Sequence, residues 1–300
     1  MRKQEKGYSR RQMLGMTIGL GGLAMTDAGS IFAQGKKQTH APEQAISKAS
    51  GLSRSTPTGR VVSIDAKFTP ISIDTAKTAV IVVDMQNDFG AEGGMFQRAG
   101  VDISMIQAAV APTAKVLDAA RKEGIKVLYL KMAFKPDLSD AGAVDSVNRV
   151  RHLQIMNVGK TVRAPNGTES RILIRDTWNT DIIPELTPKT EDTVLYKHRF
   201  SGFYQTELDA ILKQRGIKYL IFTGCTTSIC VESTIRDAMY RDYLPVLLAD
   251  CTGEPIGHDR PRSNHEASLL TIQTLFGWVS NSNDFIKGLE SRPAATANNP

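Results

Sequence analysis

The chain has 300 residues, is 41% hydrophobic and carries a formal net charge of +6. That length suits one large α/β domain with tails or two small domains, and the apolar content is ample for a core. Residues 1–34 hold Arg2, Lys3, Lys6, Arg10 and Arg11 against Glu5 and Asp27, a net +3, so the rest of the chain carries only the other +3. With no Lys/Arg-rich helix face, this excludes nucleic acid as a partner. The odd number of cysteines, three, makes no disulfide framework.

From the N-terminus, Ser9-Arg10-Arg11-Gln12-Met13-Leu14 resembles the twin-arginine export motif, with Met13 in place of the usual Phe. The Gly-rich apolar segment Met13–Met25 that follows is too short to span a membrane comfortably. Residues 1–34 therefore read as an export leader, which predicts a periplasmic or otherwise exported protein with no stable membrane insertion after leader removal. Residues 35–59 are polar and rich in Ser, Thr, Lys and Pro, the composition of a flexible linker. Arg60–Ala76 alternates (Val62, Ile64, Phe68, Ile71, Ile73) and predicts an extended arm packed on the domain or on a partner subunit.

The domain proper is expected over residues 60–290, with a disordered tail over 291–300. Ala79–Val83 is a continuous apolar run, as in a strand buried on both faces of a parallel sheet. Pro112 opens a helix that runs through Val116, Leu117 and Ala120 to Gly124, a suitable C′ residue. Ile125–Met132 is the second strand, Ala133–Glu185 an irregular insertion and Thr193–Lys197 the third strand. A helix over Glu207–Arg215 ends at Gly216, and Ile217–Thr223 is a fourth strand broken by Gly224. A helix over Cys230–Arg241, a strand over Leu244–Asp250, a helix over Asn264–Phe276, a short strand at Trp278–Val279 and a helix over Asp284–Leu289 complete the pattern. Strands alternating with helices predict a three-layer α-β-α sandwich around a mostly parallel, Rossmann-like sheet of five or six strands.

In such sheets ligands bind at the carboxyl ends of the strands. Three chemically capable side chains fall there: Asp84 after the first strand, Lys197 ending the third, and Cys230 after the fourth. Each has a plain alternative. Asp84 could cap its turn, Lys197 could be a solvated strand end, and Cys230 could be a buried core thiol. Together they make a set for nucleophilic acyl transfer. A thiol at a helix N-terminus is also expected to have a lowered pKa.

Three motifs carry a family resemblance: Asp84-Met85-Gln86-Asn87-Asp88-Phe89; Lys197-His198-Arg199-Phe200-Ser201-Gly202-Phe203; and Gly224–Asp237, GCTTSICVESTIRD. Over Arg60 to Leu289 the chain resembles the isochorismatase-like cysteine hydrolases, closest to the branch containing ureidoacrylate and biuret amidohydrolases. The resemblance implies Asp84 as general base, Lys197 as the triad lysine and Cys230 as the nucleophile that forms a thioester. It also implies a cis peptide between Cys225 and Thr226, with the backbone N–H groups of Thr226 and Cys230 as an oxyanion hole, and a homo-oligomer. Gln86, Asn87, Phe89 and Tyr204 are expected to contact substrate, with core packing a competing role for Phe89 and Tyr204. Arg149, Arg151, Arg163, Arg171 and Arg175 could steer a carboxylate or simply face solvent.

True isochorismatases lack the nucleophilic cysteine, which this chain has. Nicotinamidases carry a metal-binding D-x-H pattern with a second His; between Asp84 and Lys197 this chain has only His152. No metal, nucleotide or other cofactor is expected. The expected activity is metal-independent cleavage of a C–N bond in a small amide, ureido or carbamoyl compound, releasing ammonia or an amine. The alternatives are another small-amide or ester hydrolase of the superfamily, or a non-catalytic exported binding protein on the same fold. A thiol-disulfide oxidoreductase is disfavoured because the close cysteines, Cys225 and Cys230, are spaced C-x₄-C.

Overall fold

The computed structural model describes residues 59–291. The expected leader, the linker up to residue 58 and the tail from residue 292 lie outside the described residues. Within them, β1 (Val61–Ile64) and β2 (Ile71–Asp74) pair antiparallel. Six strands then form the central sheet: β3 (Thr78–Val83), β4 (Lys126–Met132) and, after a small antiparallel pair β5 (Thr161–Arg163) and β6 (Glu169–Arg171), β7 (Thr193–Lys197), β8 (Tyr219–Cys225), β9 (Leu244–Gly253) and β10 (Trp278–Ser280). The order across the sheet is β10-β9-β8-β3-β4-β7, and every neighbouring pair is parallel.

The helices are α1 (Asn87–Gly90), α2 (Met95–Arg98), α3 (Ser104–Ala108), α4 (Val110–Lys122), α5 (Val147–Val150), α6 (Leu208–Gln214), α7 (Glu232–Met239), α8 (Asn264–Thr271) and α9 (Ser282–Glu290). All six residues of β3 are buried, because helices cover both faces of the sheet. Val80, Val82, Tyr129 and Ile221 point to one side, where they meet Val116 and Leu117 of α4 and Phe285 of α9. Ile81, Val83, Leu130 and Phe222 point to the other, against Leu208 and Leu212 of α6 and Ile235 of α7. The period-2 geometry of the strands thus divides one apolar run between two cores. The arm resolves the same way: Val62, Ile64, Ile71 and Ile73 join the first core beside Phe285 and Leu289, so it packs on its own domain.

Several boundaries shift for local reasons. α4 begins at Val110, placing Pro112 within the first turn. At its end Gly124 adopts φ +72°, with Ile125 N donating to Ala120 O and Gly124 N to Arg121 O, a Schellman cap. The insertion is irregular as expected, apart from α5, β5, β6 and single helical turns. Gly224 does not end its strand. β8 runs through it to Cys225, with Gly224 paired to Val83 and a register shift against β9 between Phe222 and Gly224.

At Gly224 φ is +118°, and a Cβ there would collide with the backbone of Val83. Gly224→Ala is therefore expected to cost about 3 kcal/mol or more through strain and overpacking. Urea denaturation monitored by circular dichroism checks this; an unchanged midpoint would contradict it.

From β3 the chain moves to β4 and β7, then returns to place β8 on the opposite side of β3. The carboxyl ends of β3 and β8 therefore flank the point where the strand order reverses. In open α/β sheets this is where a crevice forms.

Candidate active site

Asp84 leaves β3 at φ +51°, a left-handed conformation that Asp tolerates better than most residues. Its N–H donates to Leu130 O at 2.9 Å, and its Oδ1 accepts the N–H of Met132 at 2.9 Å. Both partners lie on β4, so the neighbouring strand fixes the carboxylate. Lys197 ends β7, directly opposite Met132, and reaches across the end of β4 to place Nζ 2.7 Å from Asp84 Oδ2. The same ammonium donates to Arg199 O at 3.3 Å and lies 3.7 Å from Met132 Sδ. The two side chains are 1% and 0% exposed, which makes this a fully desolvated ion pair.

Beyond β8 the Cys225–Thr226 peptide bond is cis. Val231 N then donates to Thr226 O, closing a wide helical turn over Thr227–Val231 that leads into α7. Cys230 sits in this turn, 7% exposed. Glu254, buried just after β9, anchors the turn: Oε2 accepts Ser228 N at 2.8 Å and Ser228 Oγ at 2.6 Å, and Oε1 accepts Ile256 N at 3.0 Å. Thr227 Oγ1 lies 2.8 Å from Thr252 Oγ1 and 3.0 Å from His265 Nδ1. The turn is thereby held to β9 and to α8.

Asp84 and Lys197 both reach the Cys230 thiol. Burial pushes that thiol up, Lys197 opposes the rise and Asp84 adds to it. The depressed pKa expected of a helix-terminal cysteine is therefore not found. The turn is sealed inside the protein, and desolvation outweighs the helix dipole. Burial also raises Asp84, against the pull of Lys197, while Lys197 is held up because the Asp84 and Cys230 charges outweigh its own desolvation. Burial thus favours the neutral forms of Cys230 and Asp84, while the neighbouring acidic groups favour the charged form of Lys197.

Asp84 and Cys230 line a small cavity with Thr226 and Phe89, and Lys197 lies behind Asp84, outside the lining. Its water-accessible space is about 30 Å³. Phe96, Met132, Met156 and Leu173 make much of the remaining wall apolar. Phe200 and His152 complete it and also line a wider outer groove with Val147, Arg151 and Ser233.

Three expected contacts are not on this cavity. Gln86 is fully buried and turns inward, its Nε2 donating to Met132 O and Thr180 O and its Oε1 accepting Met132 N at 2.7 Å. Asn87 Nδ2 donates to Trp178 O at 2.8 Å. These two amides tie the insertion to the sheet. Tyr204 is 44% exposed and stacks under Arg199 in the outer grooves. Of the arginines, Arg149 and Arg171 donate to backbone carbonyls of the insertion and Arg175 pairs with Asp140 at 2.8 Å. Arg163 contributes its carbonyl to Arg98, and Arg151 alone of the five lines the groove outside Phe200.

His152, Phe200 and Glu254 belong to the site or its support and were not expected. Nor was Asp88, whose carboxylate accepts N–H groups from Met95 (2.9 Å), Leu173 (2.7 Å) and the Asn179 side chain. It thereby fixes Leu173 in the cavity wall. Burial raises its pKa from 3.8 to about 6, outweighing those three donors. A raised folded-state pKa adds stability that is full below 3.8 and lost as pH rises through 6, a difference of roughly 3 kcal/mol. Asp88→Ala strands three buried donors and is expected to destabilise the protein at every pH, since each costs about 1–3 kcal/mol. The loss should be larger at pH 4 than at pH 7.5, as read by urea titration at the two values; an equal loss would rule out the titration.

The fold and site define an α/β protein with a buried Cys–Asp–Lys centre at the reversal point of a parallel sheet. An isochorismatase domain profile matches residues 78–284, and the chain belongs to the isochorismatase family. It is 39% identical over 240 residues to the ureidoacrylate amidohydrolase RutB of Methylorubrum extorquens, covering 79% of this chain and 94% of that protein. Among solved structures it is similar to a cysteine hydrolase from Pseudomonas syringae pv. phaseolicola, with a TM-score of 0.60, 30% identity and coverage of 73% and 94%. It is also similar to N-carbamoylsarcosine amidase from Thermoplasma acidophilum, with a TM-score of 0.51, 27% identity and coverage of 69% and 97%.

Proposed function

We propose that the chain is a metal-independent cysteine amidohydrolase that cleaves a C–N bond of a small ureido or carbamoyl compound. The observation that carries this reading is that Cys230 and Asp84 line one cavity, with Asp84 held in a buried ion pair with Lys197. Among the described residues no three His, Cys, Asp or Glu side chains converge as metal ligands. The names of the similar proteins, one acting on ureidoacrylate and one on N-carbamoylsarcosine, support a ureido substrate.

In this mechanism Asp84 removes the proton of Cys230 as the sulfur attacks the carbonyl carbon. Lys197 compensates the negative charge as it passes from carboxylate to sulfur. The oxyanion takes hydrogen bonds from the backbone N–H groups of Thr226 and Cys230. Collapse of the tetrahedral adduct expels the amine, which receives the proton from Asp84 and leaves an S-carbamoyl thioester (a thiocarbamate) on Cys230. Water, deprotonated by Asp84, attacks the thioester; the acid is released and the thiol regains its proton. The cavity is narrow, and Phe200, shared with the outer groove and 40% exposed, is the wall side chain in place to move as substrate enters.

A screen of ammonia and amine release over ureido, carbamoyl and simple amide compounds tests this reading. Turnover of a ureido compound is expected, and inertness towards all three classes would overturn it.

The Ser9–Leu14 motif supports export by the twin-arginine route, with residues 1–34 as leader. Replacing Arg10 and Arg11 by Lys is expected to retain the protein in the cytoplasm in a cell-fractionation assay; continued export would defeat this assignment.

A further inference from the structure

We infer that His152 is the substrate-recognition residue of the cavity, its Nε2 accepting a hydrogen bond from an N–H of the bound ureido or amide group. This rests on the amidohydrolase reading above and narrows the substrate to one that presents a nitrogen-bound hydrogen at that point. Three observations carry it.

The first concerns the proton. His152 Nδ1 lies 2.7 Å from Asn148 O. A carbonyl oxygen only accepts, so Nδ1 bears the hydrogen, and in the neutral ring Nε2 is an acceptor. Burial opposes a charge on the ring, and the nearby Lys197 and Arg199 cations oppose it further.

The second is that the acceptor is unused. The residue is 1% exposed, and Nε2 has no partner among the described residues. A buried acceptor left unpaired is unfavourable, and a bound donor recovers that loss. His152 lines the cavity with Asp84 and Cys230, and with Nδ1 committed to Asn148 O, Nε2 is the ring nitrogen left for a ligand there.

The third is rigidity. The ring packs edge-on to Phe134, with centroids 5.2 Å apart, and against Phe200 at 5.5 Å. Fully buried Phe134 and the Nδ1 hydrogen bond to Asn148 O hold the ring in place even when Phe200 moves. Phe89, Phe96 and Leu173 offer no hydrogen-bonding group in its place. A site of this kind rejects analogues that lack the matching donor, because the polar group is then left unpaired.

The test is binding, measured by calorimetry in the otherwise full-length Cys230→Ala protein, where no chemistry intervenes. The probes are ureidoacrylate and two isosteres, one with the internal N–H replaced by CH₂ and one with the terminal NH₂ replaced by CH₃. His152→Phe, which keeps the aromatic contact between Phe134 and Phe200, is expected to weaken ureidoacrylate about 10-fold or more. It should leave the isostere lacking the bonded N–H unchanged. Equal weakening of all three compounds would mean a merely structural histidine and would overturn the inference, as would unchanged binding of ureidoacrylate or no binding of it at all. Turnover of other amides in the release screen would leave the amidohydrolase reading standing in each of those cases. If His152→Phe does not fold, the ¹⁵N resonance of His152 Nε2 in the Cys230→Ala protein decides. It should move when ureidoacrylate is added, and a stationary resonance overturns the proposal.

Discussion

Cys230→Ala is expected to lower turnover of the ureido substrate by about 10⁴-fold or more, while urea denaturation shows a protein close to the parent in stability. The first part follows from the division of labour at the site. In the proposed sequence Asp84, paired with Lys197, takes the thiol proton first and a water proton only once the acyl-enzyme exists. Without sulfur there is no covalent intermediate, and Asp84 alone would have to activate water across a cavity shaped for another first step. The second part follows from size: alanine removes one sulfur from a turn whose position is set by Glu254, Thr252 and His265.

Iodoacetamide gives an independent readout, since parent protein should lose one reactive thiol that the variant lacks. Cys225 and Cys251 are fully buried and lie outside the cavity, whereas Cys230 lines it beside Asp84, so only Cys230 enters this count. The pH dependence follows as well. Because Asp84 must be ionised to take the proton from a neutral thiol, kcat/KM should fall on acidification as Asp84 protonates. That limb belongs to the coupled Asp84–Lys197–Cys230 set rather than to one group. A Cys230→Ala protein that retained parent-like turnover would dismiss the covalent mechanism outright.

The convergence of Asp84, Lys197 and Cys230 on one sheet edge was legible because it depends on the order of elements more than on their packing. Asp84, Lys197 and Cys230 each follow or end a strand in a β-α pattern, and parallel sheets gather such ends at one edge. Gln86 and Asn87 were not legible. Both stand next to Asp84 in sequence, yet the direction of an amide depends on which backbone groups need partners. Those groups are Met132 O, Thr180 O and Trp178 O, supplied by β4 and the distant insertion. The same holds for Asp88, whose three donors come from α2, the chain after β6 and Asn179.

His152 was hidden for the opposite reason. It is a lone histidine in an insertion without periodicity, and only the folded chain brings it against Phe134, Phe200 and the cavity. The thiol pKa went the wrong way because a local rule about helix ends was applied to a turn that tertiary structure seals from water. Local electrostatics can be read from a sequence; desolvation cannot.

Lys197→Met should destabilise the protein by about 3–5 kcal/mol near pH 8, the cost of leaving one member of a buried ion pair without the other. Methionine nearly matches lysine in length and leaves no large void, so the loss reports charge more than volume. Its pH dependence is the diagnostic part. Asp84 is already raised above 3.8 by burial, and Lys197 is the chief force opposing that rise. With the ammonium gone the carboxyl rises further. A group whose folded pKa is raised stabilises fully below its unfolded value and loses that contribution as pH increases. The penalty of Lys197→Met should therefore shrink as pH falls from 8 towards 4, where Asp84 enters the fold neutral.

The parent should behave differently over the same window, because Lys197 is itself held above 10.5 and stays charged throughout. Adding Asp84→Asn to Lys197→Met removes the stranded charge and should recover stability at pH 8, giving the pair a coupling energy that separate surface sites would lack. Strictly additive losses, or a penalty independent of pH, would show that the Asp84–Lys197 contact is not the buried ion pair on which the reading of Cys230 depends.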